Sequence, residues 1–152
     1  MTKLLLAPLA AFVFAASTHG IAGQVAKGTN YLVDGDSAAC RAGDVCTVTL
    51  TLRPQNHFHV NKDYPYKFKA DEVPGIEFQG TDAGGKNVFS KAAGDFRIEG
   101  ASEESSIGIL TIKYKAAKAG DAKITGKLKL SVCSKENCQM DTADIAVGVK
   151  VK

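Results

Sequence analysis

The sequence predicts an all-β domain built as a sandwich of two sheets. Three observations lead there. Apolar residues recur at every second position in four separate runs, glycine-rich turns divide the chain, and no stretch keeps an apolar period of 3.6 residues over three helical turns. Alternation of this kind marks a half-buried strand, because successive side chains point to opposite faces of a sheet.

The first element along the chain is not a strand. Lys3 gives a short positive start, Leu4 to Ala16 form an apolar stretch, and small residues follow through Gly23. That is the layout of a secretory signal peptide at 1–23, whose apolar stretch is shorter than the ~20 apolar residues of a membrane-spanning helix. Cleavage is expected after Gly23, with Ile21 and Gly23 as recognition residues, a cut nearer Ala16 being the alternative. Residues 24–152 then form one exported domain, periplasmic or secreted, with no membrane span.

Four strands are legible between Gln24 and Lys152. Cys46, Val48, Leu50 and Leu52 share one face, with threonines between them. Gly108, Leu110, Ile112 and Tyr114 alternate with Thr111, Lys113 and Lys115. Ile124, Leu128, Leu130 and Val132 alternate with Lys127 and Lys129, and Ala143, Ile145, Val147, Val149 and Val151 with Asp144 and Lys150. Turn chemistry falls at 42–44, 73–75, 82–85 and 119–121, where Gly or Pro-Gly supplies the required backbone freedom. Residues 82–106 are the least regular and are expected to include a long surface loop. Tyr64, Pro65, Tyr66 and Phe68 are expected to fill one end of the core. The architecture is immunoglobulin-like without the antibody Cys…Trp…Cys pattern, since the chain has no Trp.

Charge narrows the function classes. Without Lys3, 18 basic residues face 16 acidic ones, and the two signs are interspersed rather than gathered on one face. Nucleic acid is therefore not an expected partner. No nucleophile-elbow serine, phosphate loop or zinc-protease motif is present, and Gly84-Gly85-Lys86 is too short to cradle a phosphate. Hydrolase chemistry has no residues to rest on.

All four cysteines lie in the expected mature domain, and an exported protein meets oxidising conditions in which cysteines pair. Of three possible connectivities, the neighbour pairing Cys40 with Cys46 and Cys133 with Cys138 is favoured, because a short turn-like insert separates each pair. Cys46 falls on the inward face of its strand, so Cys40–Cys46 is expected to be a structural staple. Cys133 falls on the lysine-bearing face, at the end of its strand, and Ser134 to Asn137 are polar and turn-forming. This places the second pair at an exposed hairpin tip, outside the core. A disulfide there is either a staple or a centre for thiol–disulfide exchange, which requires access to another protein. Lys135 would favour a thiolate and Glu136 would oppose it.

His57 and His59 offer a weaker alternative. On a strand they would project from one face, two residues apart, where two imidazoles can bind copper or zinc, with Met140 as a soft ligand for Cu(I).

The chain resembles the amino-terminal periplasmic domains of the DsbD family, immunoglobulin-like modules of thiol–disulfide transport. Three segments carry the resemblance: Phe-His-Val-Asn-Lys-Asp-Tyr-Pro at 58–65, Asp-Ala-Gly-Gly-Lys-Asn-Val-Phe at 82–89, and Lys-Leu-Ser-Val-Cys…Cys at 129–138. Together they span roughly 36–152. The resemblance implies an electron relay with a thioredoxin-like protein partner and no bound cofactor. Cys138 would join the partner in a mixed disulfide and Cys133 would resolve it. The chain departs from the family in having four rather than five residues between the cysteines. It also has Ala83 and Gly84 where the family's shielding loop carries aromatics, which leaves Phe89 or Phe96 to take that role. A non-enzymatic binding module with two structural disulfides is the alternative of a different class.

Overall fold

Strand pairing obeys the apolar alternation. In a computed structural model of the chain, residues 22–152 are described, so the expected signal peptide lies outside them except for Ala22 and Gly23. The strands are β1 (Ala22–Lys27), β2 (Tyr31–Ser37), β3 (Val45–Pro54), β4 (His59–Val60), β5 (Lys67–Ala70) and β6 (Ile76–Phe78). They continue as β7 (Val88–Ser90), β8 (Phe96–Glu99), β9 (Ile107–Ala116), β10 (Gly120–Cys133) and β11 (Cys138–Val151). Glu103–Ser105 form a single 3₁₀ turn, and no α-helix occurs among the described residues. None of the described helical segments is long and apolar enough to cross a membrane.

Two antiparallel sheets face each other. One runs β1-β2-β3-β9-β6, with β8 also on β9; the other runs β11-β10-β5-β7, with β4 also on β10. The four strands legible in the sequence are the four longest, and their alternating apolar residues close the core between the sheets. Val48, Leu50, Ile112, Tyr114, Ile124, Leu130, Val147 and Val149 are all buried. Burial of such side chains stabilises by about 1.5–3 kcal/mol each. The fold is thus the all-β two-sheet sandwich that the alternation predicts. Ala22 and Gly23 already pair with Asp36 and Gly35, so the expected cleavage point falls within β1.

Residues 82–106 differ from expectation. They are not one long loop but carry β7, β8 and the 3₁₀ turn. Val88, Phe89 and Ser90 of β7 are all buried, and Phe96 of β8 stacks on Tyr66 with ring centroids 3.9 Å apart. Strands of three or four residues are too short to show a period. Tyr66 and Phe68 do fill the core, while Tyr64 is half-buried against its edge.

The strand that carries the cysteine hairpin is the central one of its sheet. β10 pairs with β11 along its whole length, from Gly120 opposite Val151 to Cys133 opposite Cys138. On its other side it pairs first with β5 and then, near its end, with β4. Gly126 makes the β5 contact possible. A Cβ at this position would lie 2.3 Å from the Lys69 carbonyl oxygen and 2.7 Å from the Phe68 ring.

Candidate redox site at the cysteine hairpin

The polar insert Ser134–Asn137 closes the β10–β11 hairpin. The Ser134 amide donates to the Asn137 carbonyl at 2.8 Å, and the Ser134 hydroxyl accepts from the amides of Glu136 and Asn137, each at 3.2 Å. A serine that captures nearby amides is a usual way to hold a tight turn. Cys133 and Cys138, directly opposite each other at the base of this turn, form a disulfide. Cys40 and Cys46 form the other, so the neighbour pairing holds for both.

The two disulfides sit in different surroundings. Cys40 and Cys46 are both buried and belong to the hydrophobic core, as expected of a staple. The Cys40 carbonyl also accepts from the Lys152 amide at 2.9 Å, which ties the loop to the end of β11. Cys138, by contrast, is exposed. Cys133 corrects the expectation of a wholly exposed tip: it lies on the outer face but is only 6 % exposed. β4 is the reason, because it pairs along the flank of β10 at this point and sets His59 directly opposite Cys133.

β4 is only two residues long and is held from both sides. The Asn61 amide donates to the Ser131 carbonyl at 3.2 Å and the Asn61 side chain to the Ser131 hydroxyl, also at 3.2 Å. The same Ser131 carbonyl accepts the Tyr66 hydroxyl at 2.5 Å. Burial pushes the Tyr66 phenol far above its ordinary pKa, so it remains a neutral donor. On the opposite edge, the Val60 amide donates to the buried Ser106 hydroxyl at 3.1 Å, and Ser106 donates to the Glu103 carbonyl at 2.7 Å.

His57 corrects a second expectation. It is not on a strand with His59 but in the preceding turn, where Asn56 and His57 have φ of 54° and 64° and the Phe58 amide donates to the Gln55 carbonyl at 3.0 Å. Two successive left-handed residues make the tight turn that favours Asn, and His adopts it more readily than bulkier side chains. The same-face geometry on which a two-histidine copper site depended is therefore not formed. Among the described residues there is no group of three or more His, Cys, Asp and Glu placed to hold a metal. Met140 pairs across from Ser131, one row from the disulfide on the same face, and is 70 % exposed.

Beside the hairpin lies an open cleft of about 810 Å³, lined on one side by Ser134–Asn137 and on the other by Pro54–Phe58, with Glu104 at its edge. Lys135 reaches Glu104 across this edge at 4.0 Å, both side chains being highly exposed. Phe58 is the aromatic residue beside the cysteine hairpin. Phe89 and Phe96, the candidates for that role, are instead buried in the core. Asp82 to Gly85 do not line the cleft; Asp82 is tied to Ser90 and lies 3.9 Å from Lys67 on the β5–β7 side. The sequence pointed to segment 58–65 but not to its position, since pairing of His59 with Cys133 joins residues far apart in the chain.

No protein-family model matches the chain, and neither the curated proteins nor the solved structures give a match.

Proposed function

We propose that the chain is an exported thiol–disulfide exchange domain that passes electrons to or from protein partners through Cys133 and Cys138. The observation that carries this reading is the asymmetry of the two disulfides. Cys40–Cys46 is sealed in the core, whereas Cys133–Cys138 presents one exposed sulfur-bearing residue beside a cleft and keeps the other covered. Thiol–disulfide exchange proceeds by attack on an accessible sulfur through a mixed disulfide, and needs a second thiol in reach to release it. Cys138 is the residue that joins the partner in the mixed disulfide. When Cys138 attacks a partner disulfide, Cys133 is the thiol that resolves the intermediate, and when a partner thiolate attacks Cys138, Cys133 is the thiol released. A periplasmic thioredoxin-like protein is the class of partner that the resemblance to DsbD amino-terminal domains supports.

The test is the reduction potential of the pair, by glutathione titration with mass-mapped alkylation of all four cysteines. The expected value lies near ~ −180 to −270 mV, among working oxidoreductases. A value below about −300 mV marks a structural bond and favours a binding module with two staples. With Cys133→Ser, the remaining Cys138 thiol is expected to hold a lasting mixed disulfide with a thioredoxin-like protein. Cys138→Ser is expected to hold none.

A further inference from the structure

If a partner attacks Cys138, the residue that leaves is Cys133, and Cys133 is covered. A thiolate formed in a desolvated position is costly unless a cation or proton donor faces it. Resting on the exchange reading above, we propose that His59 is that donor: its imidazole protonates, or pairs with, the Cys133 sulfur as the disulfide opens.

The sheet register carries the inference. His59 and Cys133 are directly opposed across the β4–β10 ladder, so their side chains leave the same face with Cβ atoms about 4.5–5.5 Å apart. The next pair on that face, Asn61 and Ser131, already touches through a side-chain hydrogen bond of 3.2 Å. Cys138 flanks Cys133 on the other side, giving one row of His59, Cys133 and Cys138 across three strands. The other charges around β4 are engaged or of the wrong sign. Lys62 lies 3.9 Å from Glu103, Lys135 4.0 Å from Glu104, and Arg53 2.7 Å from Asp34, while Glu136 opposes a thiolate. Lys127 and Lys129 lie on the same face of β10, further down the strand, and Lys127 is bound to Asp144. Among the described residues the His59 imidazole makes no hydrogen bond or ion pair of its own, which leaves it free to serve Cys133.

A thiolate of a partner dithiol attacks the Cys138 sulfur, forming a new S–S bond as the Cys133–Cys138 bond breaks. The electron pair of the broken bond goes to the Cys133 sulfur, which takes its proton from the His59 imidazolium. The partner's second thiol then attacks its own sulfur in the mixed disulfide and releases Cys138. The partner is oxidised to a disulfide and this chain is reduced to a dithiol. In the reverse direction His59 takes the proton from Cys133, which then attacks.

The test is pH-dependent alkylation of the phosphine-reduced protein with iodoacetamide, with each cysteine tracked by mass mapping. In His59→Ala, Cys133 is expected to react about tenfold more slowly near pH 6.5 and at the parent rate near pH 9.5, as loss of a facing cation requires. Cys138 and a His57→Ala control should match the parent. Reduction of the oxidised protein by reduced thioredoxin should slow by a similar factor. His59→Gln, which keeps the size of the side chain, gives the same readout if the alanine variant does not fold. An unchanged Cys133 pH profile in the folded variant overturns the assignment and leaves the exchange reading intact. Resistance of the parent to thioredoxin overturns the exchange reading, while the alkylation profile still reports whether His59 acts on Cys133.

Discussion

At Cys133, burial and chemistry meet. The alternation of β10 correctly puts this residue on the outer face, yet it is covered, because a two-residue strand with no periodic signal packs along its flank. His59 and Phe58 were visible as chemistry-bearing residues, but their place beside the hairpin depends on a long-range pairing that local pattern does not encode. Tyr66 shows how the site is supported from below. Its hydroxyl donates to the Ser131 carbonyl, two residues before Cys133, and it is buried where no water replaces that bond. Tyr66→Phe removes the donor and keeps the ring, so the Ser131 carbonyl keeps only the Asn61 amide. The expected loss is about 1 kcal/mol, the net worth of one buried hydrogen bond, measured by urea unfolding. No change in stability would mean that this bond contributes nothing to holding the end of β10.

Among the elements, β10 does the most, since β11, β5 and β4 all depend on it. Its residues announce a strand clearly: Ile124, Leu128, Leu130 and Val132 on one face, lysines on the other. The longest strands were legible for this reason, and so were the turns between them. The short ones were not. β7 has three buried residues in a row, and β4 and β8 are too brief for alternation to be distinguished from loop. Gly126 interrupts the apolar face of β10 and looks like a weakness in the strand, but the structure gives it a use, the close approach of β5. Because the nearest obstacle is the Lys69 backbone, Gly126→Ala must push β5 away rather than turn a side chain aside. Overpacking of this kind costs about 1–3 kcal/mol. The expected result is a lower urea midpoint and faster amide exchange in Phe68–Ala70. Unchanged exchange there would show that β5 yields without loss.

For the molecule as a whole, the two disulfides differ in cover: Cys40 and Cys46 are both buried, whereas Cys138 is exposed. Cys40–Cys46 is packed among the apolar side chains of the core, and the adjoining loop is bonded to Lys152 and to the Ala116 carbonyl. Reaching it requires an opening that breaks these contacts, and openings of core elements approach the free energy of global unfolding. Cys133–Cys138 requires no such opening, because Cys138 is exposed in the native state and the remaining β10–β11 ladder holds the hairpin once the bond is cut. Dithiothreitol should therefore reduce the pair at 133 and 138 first, at a rate proportional to thiolate concentration and insensitive to low urea. The pair at 40 and 46 should react far more slowly, with a rate that rises steeply with urea, as exposure through unfolding demands. Time-resolved alkylation with mass mapping separates the two processes. Reduction of both disulfides at one common, urea-dependent rate would mean that the hairpin disulfide is as closed as the core one, and the exchange reading would lose the asymmetry on which it stands.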